Sequence, residues 1–225
     1  MEHVTRRRRL LVGVAGVLAV TAALTGCGSG GSAPQAPSLQ AGRAAQPQLH
    51  GAVPDDHTPR PEFTLADTTG AAYDFGARTG GHVTLLYAGY THCPDECPTA
   101  MADIAAALRK VSPDVASAVD VVFVTTDPWR DSTRVLRSWL DRFHPPAPYV
   151  GLTGTPTQVA GAEIAMGMAV AKREPAPKSY GSGRYSVSHF AAVMVFGRDD
   201  RLATLYPSGV VPADIAADLK LLVKE

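Results

Sequence analysis

Hydrophobic and polar positions change rhythm several times along this chain, and each change predicts an element. EFTLADTTGAAYDF (62–75) sets two short alternating runs around turn residues, the pattern of a β-hairpin. HVTLLYAGY (82–90) and VDVVFVTT (119–126) are almost unbroken apolar runs rich in β-formers, as in strands covered on both faces. YVGLTG (149–154) reads as a short strand. AVAKRE (169–174) and SHFAAVMVFG (188–197) read as further strands around a Gly-, Pro- and Lys-rich excursion over 175–184. Elsewhere the apolar spacing lengthens to three and four: Met101, Ile104, Ala105 and Leu108 predict a helix over 98–110. DSTRVLRSWLDRF (131–143) is amphipathic, with Asp131 or Ser132 as N-cap, and TPTQVAGAEIAMGM (155–168) carries Pro156 in its first turn. GRDDRLATLY (197–206) reads as a hairpin and PADIAADLKLLVKE (212–225) as a closing helix. Strands alternating with helices, then a hairpin and a helix, predict one α/β domain with a mixed sheet.

The N-terminus follows a different logic. Arg6 to Arg9 precede an uncharged run from Leu10 to Leu24. That run is shorter than the roughly 20 residues of a membrane-spanning helix and suits the apolar part of a secretory signal. Leu24-Thr25-Gly26-Cys27 resembles a bacterial lipobox, which implies cleavage before Cys27 and a lipid on that residue. An uncleaved anchor would leave the domain on the same side of the membrane. Residues 28–60 are rich in Gly and Pro without apolar periodicity, the signature of a flexible linker. The expected organisation is therefore a lipoprotein-type signal peptide (1–26), a lipidated Cys27 with linker (27–60), and a folded domain (61–225). It would lie at the outer face of the plasma membrane, held there by the lipid anchor. Without residues 1–26, which hold four Arg and one Glu, the balance of 21 basic and 21 acidic residues becomes −3. A mildly acidic body with no basic stripe argues against nucleic-acid binding.

Composition alone leaves three cysteines, an odd number for an exported protein. If Cys27 carries lipid, Cys93 and Cys97 remain, within YTHCPDECPT. A residue before proline is pushed out of the α region, so the following helix is expected to start at Pro98, with Cys97 at or beside its N-cap and Cys93 in the preceding loop. Both sulfurs then lie near the positive end of a helix, which favours thiolate. Thiolate is at once the nucleophile and the metal ligand. A three-residue gap permits a disulfide, and it also lets two sulfurs open around a soft ion such as Cu(I), whereas zinc asks for four ligands. Both readings stand at this level.

A third ligand would separate them. His3, His50 and His57 fall in the leader and linker, while His82 and His144 flank element ends. His92 adjoins Cys93 and is equally well read as a surface turn residue. His189 stands at the mouth of an apolar strand, where a metal ligand and a satisfied, half-buried histidine are both ordinary. TTDPWRDS ends the strand beside the cysteine strand, where ligands gather in open α/β sheets. Asp127 and Asp131 are thus candidates to orient ligands, donate weakly to Cu(II) or meet a partner, with helix capping the plain alternative for Asp131. Trp129 in the same loop is expected to be exposed.

FTLADTTG, LLYAGYTHCPDECPTAMADIAAALRKV, VVFVTTDPWRDS, YVGLTGTP and SVSHFAAVMVFGRDDRL resemble, in order and spacing, the Sco/SenC family of membrane-tethered assembly proteins for cytochrome oxidase. The resemblance spans residues 61–223. It implies a thioredoxin-like fold, an α/β architecture whose mixed central sheet is flanked by helices, here with an N-terminal β-hairpin extension. It also implies a copper site formed by Cys93, Cys97 and His189, holding Cu(I) and able to take Cu(II), with the same cysteines able to form a redox disulfide. The implied partners are the copper-binding subunit of cytochrome c oxidase, another copper chaperone as donor, and a thioredoxin-like reductant. Three roles follow from it: a copper carrier without enzymatic activity, a thiol-disulfide reductase that keeps the oxidase's copper-ligand cysteines reduced, and a redox or copper sensor. Thioredoxin-like reductases place a cis-proline before the strand facing their cysteines; no proline lies between Pro177 and Pro207, and the equivalent position holds His189. The chain departs from the family's usual D-H-S or D-H-T in having Ser188-His189-Phe190. That change removes the acid expected to help orient the imidazole.

Overall fold

Strand β3 (Val83–Gly89) is buried at all seven positions and forms the spine of the domain. A computed structural model describes residues 48–54, 58–175 and 185–224; the leader, Cys27 and the linker up to residue 47 lie outside the described residues. On one side β3 pairs in parallel with β4 (Val119–Thr125), which pairs in parallel with β5 (Val150–Thr153). On its other side β3 pairs antiparallel with β8 (Ala192–Phe196), and β8 with β9 (Leu202–Pro207). The N-terminal hairpin, β1 (Thr64–Asp67) and β2 (Ala72–Asp74), extends the sheet by antiparallel pairing of β1 with β5. The order is β2-β1-β5-β4-β3-β8-β9, a mixed sheet.

Alternation along β3 divides the core in two. Leu85 and Tyr87 face a cluster with Met101, Ile104 and Leu108 of α2 (Glu96–Leu108), Leu136 and Trp139 of α4 (Thr133–Asp141), and Ile215 and Leu219 of α6 (Pro212–Leu222). Leu86 and Ala88 face the opposite cluster with Phe75 of α1 (Phe75–Thr79) and Val159 of α5 (Pro156–Ala165). With helices over both faces, the architecture is that of the thioredoxin-like α/β fold. The short helices α1 and α3 (Pro113–Ser117) carry too few turns to show a helical period in the sequence.

Three sequence expectations change. First, α2 starts at Glu96, so Cys97 is its second residue rather than its cap. Pro98 then stands in the first turn, where its missing N–H has no intrahelical partner to lose. Second, the late strand expected over 188–197 begins later, and a separate strand outside that expectation ends at Ser188. β7 (Tyr185–Ser188) pairs antiparallel with β6 (Lys172–Pro175) in a separate two-stranded ribbon, and β8 starts only at Ala192. The chain pivots between the two sheets at residues 189–191, which takes His189 out of any strand.

Third, the end of the expected linker packs on the domain. Ala52 and Leu205 exchange both backbone hydrogen bonds at 2.8 Å, which covers the open edge of β9. Gly51 makes this approach possible, since a Cβ there would fall 2.3 Å from Thr204 Oγ1. Arg60 is buried, and its guanidinium donates to Asp200, Thr79, Thr84, His82 O and Gly197 O. A Gly- and Pro-rich composition conceals such single anchors.

Candidate metal centre

The peptide before the cysteines is held by its neighbours on both sides. Gly89 O at the end of β3 accepts from Thr126 N at 2.7 Å, and Cys93 N closes a turn onto Tyr90 O. Thr91 is fixed by Asp131, which accepts from Thr91 N at 2.9 Å and Thr91 Oγ1 at 2.6 Å while also taking Thr125 Oγ1 at 2.7 Å. Asp131 is 0 % exposed, and its bonds tie the cysteine loop to the end of β4. The cap of α4 is Ser132.

At the start of α2, Asp95 occupies the N-cap position but its side chain makes no capping bond. Cys93 Sγ accepts instead from the backbone N–H of Cys97 at 3.4 Å. A sulfur in contact with an orphan helix amide is stabilised as thiolate. The two thiols consequently diverge. Hydrogen bonding from Cys97, with help from His189 and the Cys97 and Asp95 amides, overcomes partial burial and draws Cys93 down to about 4. Burial, then the neighbouring Cys93, pushes Cys97 far above the ordinary thiol value. The pair therefore holds one negative charge, on the half-buried Cys93, with Cys97 as a buried thiol. Gly89 makes room for that second sulfur: a Cβ at this position would lie 2.7 Å from Cys97 Sγ and 2.8 Å from the Tyr87 ring.

His189 reaches the same point from the pivot between β7 and β8. Its Nε2 lies 3.5 Å from Cys97 Sγ. Nδ1 lies 3.3 Å from Phe190 O, and a carbonyl only accepts, so Nδ1 carries a proton; Nε2, facing the sulfurs, offers a lone pair in the neutral ring and an N–H to Cys93 in the imidazolium. This carbonyl does the orienting that the sequence assigned to a preceding acid. Ser188 is occupied elsewhere, bonding the backbone of Lys172 across the ribbon. Tyr87 and Tyr90 meet the imidazole edge to face, at 6.1 and 5.6 Å between centroids. Burial pulls the His189 pKa down, but the hydrogen bond to Cys93 and the Phe190 carbonyl outweigh it, so the net shift is upward.

The ligand atoms of Cys93, Cys97 and His189 all lie within 4.8 Å of one another, the one such cluster of potential metal ligands among the described residues. Donors bound at roughly 2.0–2.3 Å around a common ion are separated by about 3.5–4 Å, so this set closes on a metal with little movement. Two sulfurs and an imidazole are soft and borderline donors, the chemistry that copper prefers over hard cations.

The other sequence candidates stand apart from this cluster. Asp127 is 0 % exposed, pairs with Arg130 and accepts from Tyr185 Oη at 2.8 Å. Asp131 is equally enclosed, so neither carboxylate donates within the cluster or reaches a partner's surface. Both act structurally: Asp131 holds the cysteine loop, and Asp127 with Arg130 holds the ribbon that delivers His189. Arg130 reinforces this by donating to Tyr185 O at 3.2 Å and stacking on its ring at 3.6 Å. His92 points to Thr91 and remains exposed. Trp129 is 51 % exposed and stacks with Arg173. The roles of Gly89, Arg130 and Tyr185 escaped the sequence reading, since each depends on a contact between distant segments.

The SCO1/SenC family profile matches residues 52–224. Among solved structures, copper-bound ScoI of Bradyrhizobium japonicum is 32% identical, with a TM-score of 0.64 over 73% of this chain and 99% of that one. Apo Sco1 of Thermus thermophilus is 30% identical, with a TM-score of 0.67 over 79% of this chain and 99% of that one. A mitochondrial SCO1 homologue of Arabidopsis thaliana is 42% identical over 81 residues, 35% of this chain and 23% of that protein. The chain spans less than half the length of the SCO1 and SCO2 relatives it matches. With a profile match over most of its length, and cysteines and histidine converging as described, this chain belongs to the SCO1/SenC family.

Proposed function

We propose that this protein carries copper on Cys93, Cys97 and His189 and delivers it, or electrons, to the copper site of a cytochrome c oxidase subunit during assembly. The observation that carries this reading is the convergence of three ligand atoms within 4.8 Å from segments 92 residues apart in sequence. Homology to SCO1 and SCO2 proteins, and to a ScoI with copper bound, supports the choice of metal and of oxidase assembly. Two thiolates and a neutral imidazole hold Cu(I), and Cu(II) is accommodated with an added donor. Loading converts Cys97 from thiol to thiolate, so its proton leaves as metal arrives. Release is a ligand exchange in which acceptor thiolates replace Cys93 first, because it is the more accessible sulfur. A lipid on Cys27 would hold the domain at the outer membrane face, where an oxidase copper site is assembled. Among the described residues no helix is long and apolar enough to cross a membrane.

A second reading is favoured by the unequal thiols. Cys93 as thiolate attacks a substrate disulfide and forms a mixed disulfide, releasing one substrate thiolate. Cys97 then loses its proton and attacks Cys93 Sγ, forming the Cys93–Cys97 disulfide and releasing the second substrate thiol with two electrons. An external dithiol of thioredoxin type would restore the pair. One series separates the readings: Cu(I) titration and disulfide-substrate reduction with His189→Ala. The carrier reading expects copper affinity to fall at least about 100-fold with reductase turnover retained. Unchanged copper binding in His189→Ala overturns it.

A further inference from the structure

The cavity lined by Cys93 and His189 shares lining residues with a groove on each side, and the two grooves carry opposite charge. His92 borders both the metal cavity and a groove along α4 whose charged lining is Arg134 and Arg142. Asp95 and Glu96 border both the metal cavity and a groove between α2 and the β9–α6 turn, whose further charged lining is Asp103. Among the described residues the α4 groove has no acidic lining residue, and the α2 groove has no Lys or Arg. Arg134 and Arg142 are exposed and make no ion pair among those of the described residues, whereas the intervening Arg137 is paired with Asp141. Glu96 is likewise exposed and makes no ion pair among the described residues. The apolar lining of the α2 groove includes Val193 and Ile215.

We infer that these grooves form one polarised docking surface for a protein partner whose own metal or disulfide site lies between an acidic and a basic segment. The acidic segment lies along α4 against Arg134 and Arg142, and the basic one along α2 against Asp95, Glu96 and Asp103. Charges of one sign on each side of a reaction centre fix the rotational orientation of a partner, which a uniform patch does not. An exchange through Cys93 needs a defined approach, because its sulfur shares the cavity lining with His189, Tyr90 and the first turn of α2. A partner polarised the other way round is repelled at both grooves. The inference rests on the reading of this cavity as a place of transfer.

The test uses the full chain, reduced and metal-free in low salt, with residue-resolved amide NMR. The probes are oligoglutamate and oligolysine peptides. Residue resolution is needed because Arg6 to Arg9 also attract an acidic peptide. Oligoglutamate is expected to shift the amides of Thr91, His92 and α4, and oligolysine those of residues 95–103. The double variant Arg134→Gln/Arg142→Gln is expected to weaken the first set at least about tenfold and leave the second unchanged. Identical footprints for the two peptides, no shift at either groove, or undiminished oligoglutamate shifts in the double variant would each overturn the surface. None of these outcomes touches copper binding, which is measured separately and which the double variant retains.

Discussion

The backbone amide of Cys97 donates to Cys93 Sγ across 3.4 Å, so a sulfur takes the amide that a capping side chain takes in most helices. Asp95, at the N-cap, leaves that amide free, and Pro98 confines the helix start to this stretch. The helix end thereby stabilises one particular thiolate. It also separates the two cysteines by function, one charged and reachable, the other protonated and enclosed.

Selective alkylation of the reduced, copper-free protein checks this division. Cys93 has a pKa of about 4, below that of an ordinary thiol, so its thiolate persists above that value and protonates only as the pH falls through it. Iodoacetamide is expected to modify Cys93 and spare Cys97, at a rate nearly flat between about pH 5.5 and 8 and dropping below about 5. Peptide mass spectrometry gives both site and rate. First modification at Cys97, or a rate climbing about tenfold per pH unit across neutrality, would contradict the assignment.

Space beside Cys97 is as important as charge. Gly89→Ala places a methyl group 2.7 Å from Cys97 Sγ, with Tyr87 and Phe123 blocking escape on the strand's other neighbours. The domain is expected to fold with a loss of about 1–3 kcal/mol, because strand geometry itself tolerates alanine. Copper affinity should fall by at least about 10-fold, since the sulfur is driven from its place near His189 Nε2. Calorimetry and Cu(I) competition read the two effects apart. Copper affinity equal to that of the parent would show the sulfur free to relocate.

The sequence foretells most of the sheet because buried strands announce themselves: VTLLYAG and VDVVFVT have no polar face to confuse the reading. The ligand set is legible for a different reason, through motif resemblance, since nothing in the local pattern around His189 distinguishes a ligand from a half-buried histidine. What escapes is whatever depends on tertiary partners. His189 reads as part of the late strand until the ribbon of β7 with β6 shows that the chain turns there. Asp131 reads as a helix cap because Thr91, its actual partner, is 40 residues away. Arg60 sits in a stretch whose composition says linker, yet every donor of its guanidinium is used.

Arg60→Lys isolates that last point. Lysine keeps the charge but offers one short cluster of donors in place of a planar fork, so Thr79, Thr84 and Gly197 O cannot all be served. Leaving buried acceptors unpaired is expected to cost about 3 kcal/mol or more, a fall in Tm of roughly 6–12 °C for a domain of this size. Scanning calorimetry of the copper-free protein measures it. A change in Tm within about 2 °C would mean that water or a neighbouring donor takes over.

The N-terminal segment is latched by a histidine whose pKa the latch raises. His50 Nδ1 contacts Asp218 Oδ1 at 2.6 Å, its backbone N–H donates to the other oxygen of that carboxylate, and Asp214 lies 3.8 Å from Nε2. Tyr206 Oη completes the shell by donating to Asp218 at 2.9 Å. Hydrogen bonding to Asp218 raises the His50 pKa above 6.5, opposed by desolvation and aided by the charges of Asp218 and Asp214. A group whose pKa is raised by docking contributes its full stabilisation below the undocked value and loses it as the pH rises through the docked one. Protection of the Ala52 and Leu205 amides, which bond each other across the latch, is therefore expected to be high under mildly acidic conditions. It should fall as the pH passes through the raised His50 value. In His50→Ala protection should be low and independent of pH, while amides in β3 stay unaffected in both proteins. Hydrogen-exchange protection factors, corrected for the intrinsic rate, decide the matter. Equal protection at Ala52 in the parent and His50→Ala would assign the docking of this segment to Gly51 and the edge of β9 alone.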